Sequence, residues 1–269
     1  MANDILNPLP LKIATVASFL LLFFGGFKYL LTPNRDIGND PFDVDETPFS
    51  ALPFLLFWFW TVLYVVQAAF IVQAFVPMAA GYLLRIQIFG LVGWHFVIFN
   101  VLHWGWLALF ALRHFVLAWM VLLLNFVNIL VLYISHKTFA IRPLGAWMLI
   151  HIPVTALPFS WLFFAIFWNG AVMLHVHKFV GRVVSNVLIW DFLLVPGFYL
   201  AIYNDWAIGL SLSYLMFALG VGQIFTKTFA LQWIFAYIIS ALLFVASAVV
   251  AFTGSPEVIE EESAPLLTA

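Results

Sequence analysis

The chain has 269 residues, 65% of them hydrophobic and only 8% charged, with a formal net charge of −2 and no cysteine. A soluble domain carries roughly 25% charged residues, so these few charges cannot coat a soluble globule, and the apolar segments must face lipid or one another. Disulfides, iron–sulfur clusters and thiolate metal sites are excluded, and no basic cluster suits nucleic acid.

The apolar runs are unbroken over about 20 residues or more, whereas the strands of a transmembrane barrel alternate over short segments. The expected fold is all-α, a polytopic integral membrane helical bundle of about eight transmembrane helices. Residues 1–10 form a short lead. The first span covers 11–31. It is too long for the core of a cleavable signal, and Lys28 and Tyr29 stand where small residues would be cleaved. Residues 32–50 form the longest polar loop, irregular through its Pro, Gly, Asn and five acids. It lacks the glycine and terminal glutamate of an EF-hand loop.

The second span covers 51–76. It opens on Pro53 and a dense aromatic run from Phe54 to Trp60. Two spans follow near 86–112 and 115–135, with the turn at Arg113 and His114, where a charge can reach water. The fifth span lies in 146–178 and contains Pro153 and Pro158. Each proline removes a backbone donor, so the helix must bend and neighbouring polar groups must satisfy the freed carbonyls. Three more spans are expected near 183–203, 206–226 and 228–252. The tail from 253 is acidic and reads as disordered.

No Gly-rich phosphate loop, His-Glu-x-x-His or nucleophile elbow is present. The chain therefore reads as a non-enzyme with no catalytic residue and no cofactor. His175 and His177 would point apart on a helix, and two ligands rarely make a zinc site even with His151 or His114 nearby, so no metal is expected. Asp191 is the one acid inside a span. An intramembrane acid raises the question of a proton or substrate site in a proton-coupled transporter. The competing reading, a local partner for a polar neighbour or the lipid interface, takes precedence.

The aromatic residues are a better clue. Nine of the 12 tryptophans fall between Trp58 and Trp168, most away from span ends. Tryptophan with asparagine and histidine inside a bundle can line a cavity for a flat apolar ligand. The plainer alternative is that aromatic side chains merely fill the bundle.

In the tail, Glu262 stands four residues before Leu266 and Leu267. This is the spacing of an acidic dileucine sorting signal, in which an adaptor grips one charge and two apolar anchors on an extended segment. Besides membrane lipids, the expected partners are thus a sorting adaptor and an apolar planar small molecule, with no nucleic acid. The expected location is a vacuolar or endosomal membrane. With eight spans, Lys12, Arg85, Lys137 and Arg142 fall on the side of the termini. Lys28, Arg35, Arg113, Lys178, Arg182 and Lys227 fall on the other. That division is too even for the positive-inside rule to fix the orientation, and it leans against a cytosolic tail.

Residues 161–180 (WLFFAIFWNGAVMLHVHKFV), with SNVLIWDF at 185–192 and FALQWIFAY at 229–237, resemble a family of fungal multispan membrane proteins known only as a domain of unknown function. Phe167 to Ala171 is the most specific piece. The resemblance implies a helical membrane fold in a fungal cell and no activity. A weaker likeness, over residues 11–174, is to the tryptophan-rich sensory or translocator proteins. Pro53 with Trp60-Thr61-Val62-Leu63-Tyr64 resembles their second-helix motif, and Asn100 with Trp104 and Trp161 with Asn169 resemble their third and fifth helices. That family is a five-helix bundle binding porphyrins and sterols. By resemblance, Trp60, Asn100, Trp104, Trp161 and Asn169 would line the ligand cavity. Residues 11–174 would then form a translocator-like bundle and 183–252 a three-helix extension. The motif's proline pair is reduced here to Pro53, and a shared scaffold does not imply a shared ligand.

Overall fold

The computed structural model describes residues 9–31, 47–75, 82–141, 144–176, 179–226 and 231–253. The described residues form helices joined by turns. We number them α1 (Leu9–Leu31), α2 (Pro53–Val72), α3 (Tyr82–Ala111), α4 (Phe115–His136), α5 (Leu144–His151), α6 (Leu157–Met173), α7 (Phe179–Leu188), α8 (Asp191–Tyr203), α9 (Trp206–Thr226) and α10 (Gln232–Thr253). Eight stretches among them are long and apolar enough to cross a membrane. The chain is an all-helical, multi-pass membrane protein.

Length sets the spans. The fifth runs over Leu144–Met173 and the sixth over Phe179–Tyr203; each is assembled from two helices. In the fifth, α5 and α6 are joined by a π-helical turn, Ile152–Ala156. Pro153 cannot donate to Leu149, its partner four residues back in an α-helix. Across the π turn the Leu157 N–H bonds the carbonyl of Ile152, five residues back. In that wider register Pro158 would serve the Pro153 carbonyl and has no N–H to do so. The two prolines therefore orphan the Leu149 and Pro153 carbonyls in a buried helix, where an unmet acceptor is costly.

The chain divides into two compact units that interleave in sequence: Met1–Val44 with Leu63–Pro158, and Asp45–Val62 with Phe159–Ala269. This division by compactness is a separate matter from the division after residue 174 that the translocator likeness implies, which stays a proposal.

In the first unit the orphaned carbonyls are met from α2 and the turn after it. The Gln67 amide donates to Pro153 O at 3.3 Å and the Gln73 amide to Leu149 O at 3.1 Å. Asparagines join α3 to α4: Asn125 donates to Phe99 O at 3.1 Å, and Asn128 bonds both the ring Nδ1 and the carbonyl of His95, at 2.8 and 3.0 Å. Inter-helical bonding by asparagine is the commoner use of a polar side chain in a span. His151 is buried, stacks on Trp147 and bonds Thr138, which donates onward to Thr155 at 3.1 Å. Because the single Thr138 proton is committed to Thr155, His151 Nδ1 is the protonated, donating nitrogen.

In the second unit α9 and α10 pack closely through small residues. Ser213 and Ser240 each donate to the other's backbone carbonyl at 2.8 Å. Small residues let backbones approach, and hydrogen bonds then add to helix association in lipid. The turn 47–50 is bound to α9. Gln223 donates to the carbonyls of Thr47 and Ser50 at 3.0 and 2.9 Å, Leu52 N–H to Ala218 O at 3.0 Å, and Tyr214 to Leu55 O at 2.9 Å. Gly222 makes room for this segment: a Cβ there would lie 2.7 Å from Leu52 N.

Candidate functional site

Asn100 and Trp104 stand one turn apart on α3, on the face that meets α1. Asn100 is fully buried and its amide donates to Ser18 Oγ at 3.3 Å. Its carboxamide oxygen is buried and accepts no hydrogen bond. The indole of Trp104 turns its Cδ1–Nε1 edge onto Gly25, where an added Cβ would come within 2.5 Å of Cδ1 and 2.8 Å of Nε1. The neighbouring Gly26 receives the Tyr64 hydroxyl in the same way, 3.0 Å from an added Cβ. Tyr64 meets the rings of Phe19 and Phe23 at 6.1 and 5.2 Å. The pair of glycines on α1 is thus the seat for two aromatic side chains, from α3 and α2.

Trp60 and Trp161 meet in the second unit, edge to face with centroids 5.1 Å apart. Trp161 is only 4% exposed and is also flanked by Phe59 and Phe164, each at 6.1 Å. Such ring pairs add about 0.5–1.5 kcal/mol each beyond area burial. Asn169 is fully buried two turns further along α6. Below it the rings of Phe49, Phe163, Phe167 and Phe192 form one cluster, with centroids 4.7 Å apart at the closest. The five residues singled out by resemblance therefore fall into two sets: Asn100 with Trp104 in one unit, and Trp60, Trp161 and Asn169 in the other.

Asp191 is the first residue of α8, after a turn at Ile189 and Trp190 that interrupts the sixth span. It is half-buried and makes no hydrogen bond or ion pair with a described residue. An acid in the first helical turn is favoured by the helix dipole. Among the described residues no group of three His, Asp or Glu comes together as metal ligands. Glu262, Leu266 and Leu267 lie outside the described residues, as do His177 and Lys178.

Sequence reasoning did not single out Gln67, Gln73, Gln223, Ser213 or Ser240. A signal was present: each is a polar residue in an apolar run, which in lipid requires a partner.

Together these features define a multi-pass helical membrane protein whose polar groups mostly bind helices to one another. Residues 182–267, which include most of α7 and all of α8 to α10, match the family described as Fungal protein of unknown function (DUF1774). An uncharacterised protein of Schizosaccharomyces pombe is 38% identical over 112 residues, covering 39% of this chain and 40% of the relative. The chain thus spans well under two thirds of the curated relative it matches. No solved structure matches the chain.

Proposed function

We propose that this membrane protein binds an apolar, planar small molecule of porphyrin or sterol type against the α1–α3 seam. The carrying observation is Asn100. Its carboxamide oxygen is buried without a donor, one turn from a tryptophan that is still 37% exposed. A flat ligand stacking on Trp104 and offering one donor to Asn100 would satisfy both. The test is quenching of tryptophan fluorescence in the purified protein, with protoporphyrin and ergosterol as probes and a non-absorbing competitor to control for inner-filter loss. Saturable quenching that Asn100→Ala or Trp104→Phe weakens at least tenfold supports the reading. Absence of saturable binding by folded protein removes it.

The second reading is a non-catalytic scaffold, favoured by Trp161. Its ring neighbours on several sides suit an aromatic core that fills space. On this reading Trp60, Trp161 and Asn169 stabilise the fold and touch no ligand. Location in a vacuolar or endosomal membrane, with a sorting adaptor on Glu262, Leu266 and Leu267, belongs with it. Truncation before Glu257 in a tagged protein tests that point: changed location supports it, and unchanged location removes it. Proton-coupled transport through Asp191 is the least supported reading, and transport that survives Asp191→Asn would end it.

A further inference from the structure

Among the described helices, α7 has the most sharply divided apolar and polar sides. Its sequence, FVGRVVSNVL, places Phe179, Val180, Val183, Val184, Val187 and Leu188 on one side. Gly181, Arg182, Ser185 and Asn186 fall on the other, as a period of 3.6 residues requires. The apolar side is the open one, with Phe179, Val180 and Val187 each about 70% exposed at 72%, 70% and 67%. Ser185 is 3% exposed, and its carbonyl accepts from Gln232 at 3.4 Å. Gln232 is the first residue of α10, so the middle of α7 stands level with the end of a membrane span. On its other side α7 follows the turn that ends α6. Ten residues make a helix about 15 Å long, half of a roughly 30 Å hydrocarbon core.

We propose that α7 is an interfacial helix. Its valine face seats in the headgroup–acyl boundary of one leaflet and Arg182 reaches the phosphates and water. The sixth crossing is then α8 without α7; its 13 residues rise about 20 Å, so the bilayer beside α7 thins to meet it. The occupant of the exposed face is lipid, because α7 adjoins α8 within a stretch apolar enough to cross a membrane, and Leu194, Phe198 and Ile202 of α8 are exposed in the same way. A strongly one-sided apolar face with a basic residue on the polar side is how a helix lies in a membrane surface, and ten residues are too few to cross one. This placement also accounts for Asp191. Three residues beyond α7, its carboxylate lies close enough to the surface for water to serve where no described residue does.

The chain has no cysteine, so single-cysteine variants carry a nitroxide label without a background site. The variants are Val180→Cys, Val183→Cys, Val184→Cys, Val187→Cys and Arg182→Cys, in vesicles of phosphatidylcholine with one fifth phosphatidylserine. Relaxation by oxygen against a water-soluble nickel chelate reports depth. The four valine positions should share one shallow depth, and position 182 should favour nickel. A crossing helix would instead deepen by about 1.5 Å per residue from 180 to 187, and that result overturns the proposal. Nickel access at all five positions overturns it as well, since α7 would then stand in water. Labels shielded from both agents mean a protein covers the face, which also contradicts it. The reading is independent of ligand binding at the α1–α3 seam.

Discussion

The Gln67 side-chain amide donates to the carbonyl of Pro153 at 3.3 Å. That carbonyl is free because Pro158, five residues on across a π turn, carries no N–H. Gln73 repeats the arrangement one turn earlier on Leu149 O. The bend in the fifth span is therefore held by amides outside it. Gln67→Leu should lower stability by about 1–3 kcal/mol, the cost of an unmet buried acceptor. Pro158→Ala restores an N–H, so in that background Gln67→Leu should cost clearly less. Thermal unfolding in detergent of the two single variants and the double variant measures the coupling.

Among the described residues, four helix ends turn through left-handed residues that are not glycine: Arg113, Lys137, His175 and Asn204. For an ordinary L-residue this conformation costs about 1–2 kcal/mol. Lys137, at φ 41° after α4, sits where glycine normally ends a helix. Lys137→Gly should raise stability by up to about 1 kcal/mol, less the greater freedom glycine has when unfolded. Lys137→Ala keeps the strain and loses the cation at the helix end, so it should not stabilise. The difference between the two melting curves is the measurement.

Gly222 and Gly197 should behave oppositely. A Cβ at Gly222 would strike backbone, 2.7 Å from Leu52 N and 2.9 Å from Ser50 O. Gly222→Ala should displace the segment 47–52 from α9 and expose it to protease. A Cβ at Gly197 meets nothing within 4 Å. Gly197→Ala should be neutral, or stabilising by up to about 1 kcal/mol through helix propensity. Limited proteolysis of both variants separates the cases.

Ser213 and Ser240 exchange bonds across α9 and α10. Serine-to-alanine at either position removes one donor, and each should cost about 0.6 kcal/mol, the average seen for such bonds in a membrane. A bulky change acts through packing instead. Ser213→Leu should separate the helices and cost several times as much. Unfolding in mixed micelles with a denaturing detergent gives both values.

The spans were legible because lipid leaves a helix no other solution. The turn at Arg113 and His114, the bend at Pro153 and Pro158, and the need for partners at freed carbonyls all follow from residue chemistry. Which residues supply those partners did not. Gln67 and Gln73 sit six positions apart at the end of another span, and a lone amide carries no periodic signal. Phe49 was placed in a polar loop by its neighbours, yet it is 2% exposed among phenylalanines, because the Gln223 side chain binds the carbonyls of turn 47–50 to α9, a pairing that composition does not encode. The sixth span, expected near 183–203, falls within the stretch Phe179–Tyr203 that is long and apolar enough to cross; the break at Ile189 and Trp190 has no proline or glycine to announce it. The aromatic site was legible as residue types, but filling and lining a bundle use the same ones.

The central claim is that the apolar stretches cross the membrane in turn, and side-specific labelling tests it most directly at the fourth, fifth and sixth of the eight. In the cysteine-free chain, single cysteines at Arg113, Lys137, His175 and Asn204 are exposed to a membrane-impermeant maleimide on sealed, oriented vesicles. The account predicts that positions 137 and 204 label from one side and positions 113 and 175 from the other, because one crossing separates 113 from 137, 137 from 175, and 175 from 204. Labelling of 175 and 204 from the same side would remove the sixth crossing, and labelling of 137 and 175 from the same side would remove the fifth.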